Sequence, residues 1–365
     1  MTHNKRIYVC HTYYHVYIAL IKELNLPNSG NKEADIVLSK LSTDFSHLIN
    51  RLNSIDIFNK VIELDEKRET FFPELVKWKT DYHSGIKNLI SRIIFTKKFA
   101  KLQKPFVTID FAAYKDIYVF CDSDPIALYL SQNHIHYHAV EDGYNSLEVY
   151  IPAKYSNTPN WKLKKFLSLY LNLIFICGGY NKYCIDMEVN DASAINDSFS
   201  KYKSVSRDEL INSLTSEGKK LLLRAFIEDA DEIYRIMSQK DSSSSSTLIL
   251  TEDLCSLEVR KQIFTDLINK FSSEGQVFIK PHPRDVFDYH AAFPEIPVFD
   301  RFFPMEVLNL FENVKFDKAV TIFTPLHDIQ FAKEKVFLGR EFMDKYEDSK
   351  MHEYHHSEKE ADKVK

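Results

Sequence analysis

Between residues 6 and 140, short runs rich in β-branched and aromatic residues alternate with longer stretches of helical apolar spacing. The runs are RIYVC (6–10), ADIVLS (34–39), KVIEL (60–64), DIYVFC (116–121) and IHYHAV (135–140). Strand alternating with helix predicts parallel strands joined by crossover helices, a sheet covered on both faces. A second series follows the pentaserine Ser242–Ser246: TLILTED (247–253), QVFIKPH (276–282), AVTIF (319–323) and KVFLG (335–339). The chain therefore reads as α/β, with two Rossmann-type doubly wound domains facing a central cleft, and ligands are expected where strand C-termini open onto that cleft.

A length of 365 residues suits two cores of ordinary size. The expected divisions are an N-terminal domain over 1–185, a helical connection over 186–246, a C-terminal domain over 247–340, and a helix with a polar tail over 341–365. The connection rests on KKLLLRAFIEDADEIYRIM (219–237), whose apolar residues recur at helical spacing. A net charge of −5 argues against a nucleic-acid binder held by general electrostatics. Cys10, Cys121, Cys177, Cys184 and Cys255 are odd in number and set mostly in apolar runs, which predicts reduced thiols and a cytoplasmic setting. The first residues enter a strand without the apolar core of a secretion signal, and no window has the length of a membrane span.

Five motifs sit where strands end. CHTYYH (10–15) offers Thr12, Tyr13 and His15 to a sugar or a phosphate; it also reads as Thr12 capping a helix with Tyr13 and Tyr14 packed beside it. CDSDP (121–125) places Asp122 and Asp124 two apart, a spacing that can bridge a divalent cation to a diphosphate. The alternative is Asp124 as helix cap with Pro125 in the first helical position. In EDG (141–143) two adjacent acids can raise the basicity of one carboxylate, and Gly143 lets the chain turn sharply or lets a ligand approach. In IKPHPRD (279–285) Pro281 and Pro283 fix the backbone around His282, with Lys280 and Arg284 on either side, a cradle for an anion such as phosphate. TIFTPLHD (321–328) ends a strand in hydroxyls, a proline and a helix start, another anion-binding pattern. A base on one side and a phosphate cradle on the other describe a transferase for a donor whose leaving group is a phosphate.

EDG at 141–143, HP at 282–283 and the hydroxyl residues at 321–324 resemble three short motifs of bacterial sialyltransferases. IYVCHTYYHVYIALIKEL and VFCDSDPIALYL resemble most the lipooligosaccharide and capsular members, glycosyltransferase family 52. The resemblance implies a GT-B-like fold, an acceptor-side N-terminal domain, and a C-terminal domain that binds the nucleotide sugar. It implies CMP-sialic acid as donor substrate, a galactose-terminated acceptor, inversion at the anomeric carbon, and neither cofactor nor metal. By position, Asp142 would be the general base, with Glu141 tuning it. His282 would donate to the leaving phosphate, and Thr324 would bind phosphate or the sialic carboxylate. Glu306 in FPMEVL would hold the ribose hydroxyls. Lys280, Pro283, Thr321 and Gly143 would complete the donor side, and Thr12, Tyr13, His15 and Asp124 the acceptor side. The third motif departs from the family in having Phe323 and Pro325 around Thr324.

Weaker signals remain. HEYHH (352–356) has the spacing of a zinc-protease helix but lies in a charged tail. His134, His136 and His138 alternate onto one face of a strand. Residues 77–104 carry eight lysines and arginines against Asp81, and KLKK precedes an apolar stretch within 163–176. Each can contact anionic lipid at the inner face of a membrane, where lipid-linked glycans are assembled; each also reads as an ordinary solvated or core helix. Two other functions stay open: a GT-B transferase using another nucleotide donor, such as a UDP-hexose enzyme or a CDP-polyol phosphotransferase, and a non-catalytic glycan-binding assembly subunit.

Overall fold

In the computed structural model of the protein, the described residues are 6–27, 30–143, 146–147, 159–195, 199–241, 244–326 and 329–348. The chain divides into two compact units that meet in sequence at Leu214 and Thr215.

The first unit carries β1 (Arg6–Cys10), α1 (Tyr13–Leu24), β2 (Ala34–Ser39), α2 (Ser46–Ile55), β3 (Lys60–Leu64), α3 (Gly85–Gln103), β4 (Asp116–Phe120), α4 (Pro125–Gln132) and β5 (Tyr137–Val140). After these come α5 (Trp161–Leu169), β6 (Cys184–Val189), β7 (Tyr202–Ser204) and α6 (Arg207–Asn212). The strands form one parallel sheet in the order β3-β2-β1-β4-β5-β6-β7. Ile7, Tyr8, Val9 and Cys10 are all buried, as expected of a central strand covered on both faces. Each such apolar side chain contributes about 1.5–3 kcal/mol by leaving water. Strand order reverses between β1 and β4, the switch point where doubly wound sheets bind ligands.

The second unit holds α7 (Ser216–Phe226), α8 (Ala230–Ser238), β8 (Ser245–Leu250), α9 (Leu257–Ser272), β9 (Gly275–Lys280), β10 (Phe316–Thr321) and β11 (Ala332–Phe337). Its sheet is parallel in the order β11-β10-β8-β9, and the switch point falls between β8 and β10. Gly275 is required where β9 joins β8, because a Cβ there would lie 2.1 Å from the Ser245 carbonyl oxygen.

Parallel α/β organisation in two series agrees with the sequence reading, but the expected helical connection over 186–246 is not one element. Its first part supplies most of β6 and all of β7 to the first sheet, which extends the first unit to Leu214; α7 and α8 belong to the second unit, and Ser245 and Ser246 already lie in β8. The sequence hides β6 because its charges look like a solvated helix face. In the fold, Asp186 accepts from His138 Nδ1 at 2.7 Å and Glu188 pairs with Lys22. Among the described residues no helix is long and apolar enough to cross a membrane.

Candidate active site

Residues at the C-terminal ends of β1, β3, β4 and β5 converge in the first unit. His11, just past β1, is buried between two carboxylates: its Nε2 is 2.7 Å from Glu66 Oε1 and its Nδ1 3.5 Å from Asp124 Oδ2. Burial disfavours a charged imidazole, but Glu66, reinforced by Asp124 and Asp142, outweighs it and lifts the His11 pKa to about 9. Glu66 also accepts from Ser39 Oγ and from the Ile126 amide, both at 2.7 Å, so one buried carboxylate ties β1, β2, β3 and α4 together. Sequence reasoning missed it, although an acid two residues beyond a strand end was a legible signal.

The backbone N–H of His11 donates to His15 Nδ1 at 3.0 Å. With Nδ1 an acceptor, the ring carries its proton on Nε2, and that N–H points at Asp142, 2.8 Å from Oδ1 and 3.0 Å from the carbonyl oxygen. His15 is fully buried and stacks on Phe120 with ring centroids 4.9 Å apart, whereas the Asp142 side chain is 58% exposed. An exposed carboxylate is thus held in place by a buried imidazole that is itself fixed. His15, expected on the acceptor side, lies beneath the carboxylate instead. Thr12 is the helix cap, accepting from the His15 amide at 3.2 Å. Tyr13 is buried, packs on Phe45 and donates to the Asp44 carbonyl, a core position and not one open to a sugar.

The adjacent acids do not face the same way. Glu141 turns inward, 1% exposed, accepting from the Asn190 amide with Arg207 Nη2 at 3.9 Å. Burial raises its pKa to about 7, against the opposing pull of Arg207 and of backbone amides. Gly143 has no left-handed backbone, and among the described residues a Cβ there would meet Ser146 Cβ at an ordinary 3.8 Å. Gly143 stands in a bend and its carbonyl oxygen accepts from the Ser146 amide at 3.4 Å, without a positive φ of its own. Asp122 and Asp124 also diverge. Asp122 is buried and accepts from the Gly178 and Gly179 amides at 2.7 and 2.9 Å, while Asp124 heads α4 before Pro125 and faces His11. Burial, with Glu66 and Asp142 adding to it, raises the Asp124 pKa. The two do not share a cation in this geometry. Among the described residues no cluster of three His, Cys, Asp or Glu side chains is arranged to hold a metal ion.

In the second unit the IKPHPRD loop is built around Asp285. This buried carboxylate accepts from Thr251 Oγ1 and Arg260 Nη1 at 2.6 Å, Tyr289 Oη at 2.7 Å and the Phe287 amide at 3.0 Å. Thr251 Oγ1 accepts from the His282 amide, so the histidine's backbone is fixed through Asp285. His282 Nδ1 accepts from the Arg284 amide at 3.1 Å, which leaves Nε2–H as the ring's donor. Burial, with Arg284 and Lys280 adding repulsion, lowers the His282 pKa to about 3, so the donor is a neutral imidazole across the physiological range.

Lys280 was expected to offer charge to an anion. It is buried instead, donates to the Pro281 carbonyl at 2.6 Å and lies 4.2 Å from the Phe303 ring centroid. Burial lowers its pKa to about 7, against the pull of Asp300 and Glu306. Glu306 is buried at the start of a 3-10 turn, Met305–Leu310, and Pro283 is partly buried in the loop. Thr321, at the end of β10, is buried with its hydroxyl donating to Glu252 Oε1 at 2.6 Å; Thr324 is partly exposed. His134 and His136 both lie against Tyr183, away from His138, so the three form no joint site. The 352–356 motif lies outside the described residues.

Several known proteins are similar to this chain. A curated protein of Haemophilus influenzae (strain ATCC 51907 / DSM 11121 / KW20 / Rd), described as uncharacterized, is 39% identical over 88 residues. That stretch is 24% of this chain and 28% of that protein, so the match spans little more than a quarter of the relative's length. The crystal structure of an alpha/beta-galactoside alpha-2,3-sialyltransferase from Photobacterium phosphoreum superposes with a TM-score of 0.52 at 14% identity, covering 91% of this chain and 89% of that one. Arabidopsis thaliana UGT89C1 complexed with UDP gives 0.46 at 9% identity, over 87% and 74% of the two chains. At such identities the first of these likenesses speaks to fold, a GT-B-type pair of α/β units. Residues 65–340 match the family model described as Glycosyltransferase family 52, a span that takes in Glu66, Asp124, Glu141, Asp142, Lys280, His282 and Thr324. From the strand-end acids of the first unit to the His-Pro loop of the second, the match covers well over half of the sequence, and the chain belongs to glycosyltransferase family 52.

Proposed function

We propose that this glycosyltransferase is an inverting sialyltransferase that moves sialic acid from CMP-sialic acid to a galactose-terminated acceptor in bacterial surface-glycan synthesis. The observation that carries the reading is the exposed Asp142 carboxylate held by the proton on His15 Nε2, together with a neutral His282 whose Nε2–H is its donor. Asp142 takes the proton from the acceptor hydroxyl as that oxygen bonds to the anomeric carbon. The bond from that carbon to the phosphate oxygen breaks on the opposite face, and CMP leaves with the electron pair. His282 donates a hydrogen bond to the phosphate oxygen on which charge develops, an interaction that strengthens toward the transition state. The chemistry asks for no redox partner, and no step above is assigned to a metal.

Release of CMP from CMP-sialic acid, with lactose as acceptor and with or without EDTA, tests this reading. EDTA-resistant release that depends on Asp142 supports it. Release from UDP-hexose or CDP-polyol instead would assign another donor, and no release with any nucleotide sugar would favour an assembly subunit. If turnover survives Asp142→Asn, Asp124 beside His11 and the half-exposed Asp253 just past β8 are the next carboxylates to test as base.

A lipid-linked acceptor suits two segments of the first unit that expose apolar side chains. Ile86 and Ile90 on α3, and Leu163, Phe166 and Tyr170 on or next to α5, are exposed among lysines. Arg92 joins the two segments by donating to the Phe175 carbonyl at 3.4 Å. Exposed apolar side chains set among cations suit the face of an anionic bilayer. Co-sedimentation with phosphatidylglycerol vesicles but not phosphatidylcholine vesicles, lost in Ile86→Glu/Phe166→Glu, is the expected result.

A further inference from the structure

Glu252 follows β8 and Thr321 ends β10, so the two stand side by side at the switch point of the second sheet. The Glu252 carboxylate is almost fully buried, and a single oxygen, Oε1, accepts three hydrogen bonds. They come from Thr321 Oγ1 at 2.6 Å and from the amides of Phe323 and Thr324, each at 2.7 Å. Thr321 Oγ1 in turn accepts from the Thr324 amide at 3.1 Å, which closes the turn on itself. Two adjacent amides and a hydroxyl converging on one point form an anion hole, and the anion in it is the protein's own. The donors of this turn are therefore committed inward, and Thr324 keeps the partial exposure needed to meet a ligand.

We propose that Glu252 is a positioning residue of the donor site: the internal carboxylate around which the Thr321–Thr324 turn is folded, so that Thr324 is presented to the donor phosphate. This rests on the donor reading above, in which that turn meets the phosphate. The rival arrangement is a placeholder, in which the phosphate displaces Glu252 and takes over its three donors. The two differ in sign. A positioning carboxylate helps the donor bind, whereas a placeholder competes with it.

The test uses the full chain and two variants, Glu252→Ala and Glu252→Gln, with CMP as probe. Amide exchange at Phe323 and Thr324 in the unliganded protein reads the clamp alone, and should become at least about tenfold faster in Glu252→Ala. CMP affinity should weaken about tenfold in Glu252→Ala and less in Glu252→Gln, which keeps one acceptor of the same size. Formate, a free carboxylate small enough for the vacated space, should restore part of the loss in Glu252→Ala. Tighter CMP binding in Glu252→Ala would establish the placeholder and overturn the proposal, as would unchanged affinity alongside lost amide protection. If Glu252→Ala does not fold, the Gln variant decides by the same sign. A wild-type protein that binds no CMP marks failure of the donor reading, visible before any variant is made. The comparison is then repeated with whichever of UDP, UDP-hexose or CDP-polyol the wild type binds, and binding of none overturns the proposal too.

Discussion

The Oδ1 atom of Asp142 lies 2.8 Å from Nε2 of His15, a residue 127 positions earlier in the chain. The buried imidazole cannot reorient, because its Nδ1 is fixed by the His11 amide and its ring lies on Phe120. His15 therefore sets the direction of the carboxylate from a fully buried position. Asp142→Asn should lower kcat by ~10²-fold or more with little change in melting temperature, as expected for loss of a positioned base. His15→Phe keeps the aromatic packing and removes the donor. It should lower kcat about tenfold with the acceptor KM nearly unchanged, the signature of lost orientation. Steady-state kinetics with a thermal melt on each variant separates these effects from unfolding, and a wild-type kcat in His15→Phe would remove the histidine from the mechanism.

Glu141 makes a prediction about stability. Its folded-state pKa is raised from an ordinary 4.5 to about 7, so between those values the folded chain binds the extra proton and the unfolded chain does not. Stability from this group is present below pH 4.5 and is lost as pH rises to 7. Glu141→Gln, which imitates the protonated acid, should be nearly neutral at pH 5 and should gain on the wild type by on the order of 3 kcal/mol at pH 8. Urea unfolding at the two pH values measures the difference, and a pH-independent gap would mean that Glu141 stays ionised.

Lys280 carries the opposite sign. Its pKa is depressed to about 7, so from there to about 10.4 the unfolded chain binds the extra proton and stability rises with pH. Deprotonation over the same range removes a positive charge two residues from His282, and an anionic donor should bind more weakly as pH passes 7. Stability and nucleotide affinity should therefore move in opposite directions from pH 6.5 to 8.5 in the wild type. Lys280→Met should flatten both slopes. Titration calorimetry with CMP, paired with unfolding curves, is the measurement, and parallel slopes would exclude Lys280 as their common cause.

Asp122 gives the plainest structural outcome. Its two oxygens hold the amides of Gly178 and Gly179, both of which lie at positive φ. Asp122→Ala would leave those buried amides unsatisfied and should cost about 1–3 kcal/mol. Added Mg²⁺ should not change the melting temperature of the wild type, because Asp122 and Asp124 point to different partners. A magnesium-dependent rise that vanishes in Asp124→Asn would show that the two side chains rearrange around a cation.

How much of this was legible in the sequence follows from which interactions are local. The runs at 6–10, 34–39 and 60–64 coincide with β1, β2 and β3 because all three are buried or paired along their length, and apolar run length is a local property. β6 was missed because Asp186 and Glu188 owe their place in a strand to His138 and Lys22, partners far away in sequence. The candidate site divides in the same way. His282 announced itself through its two prolines, but Glu66 and Asp285 each collect partners from three separated segments, and Glu252 collects its donors from a turn distant in sequence. No spacing rule reports such a hub. Glu141 and Asp142 show the limit most clearly: adjacent and chemically alike, they are separated in role only by a backbone that turns one inward to Asn190 and the other toward His15.

Gly143 offers the last prediction, because among the described residues neither a left-handed backbone nor a close neighbour demands a glycine there. Its backbone is not left-handed, its amide donates to Ser146 Oγ at 3.3 Å, and among the described residues the nearest atom to an added Cβ is 3.8 Å away. Replacing it with alanine should therefore leave the fold intact and, by reducing the freedom of the unfolded chain, should stabilise the protein by about 0.4–1 kcal/mol. If the glycine serves ligand approach beside Asp142, the same methyl group should obstruct an acceptor. The acceptor KM would then rise several-fold while the affinity for CMP stays at the wild-type value. A stabilised Gly143→Ala enzyme with unchanged kinetics would mean that nothing passes close to this residue, and would move the acceptor to another face of Asp142. A rise in acceptor KM alone would put the acceptor hydroxyl on the Gly143 side of the carboxylate, the side from which a base at Asp142 would take its proton.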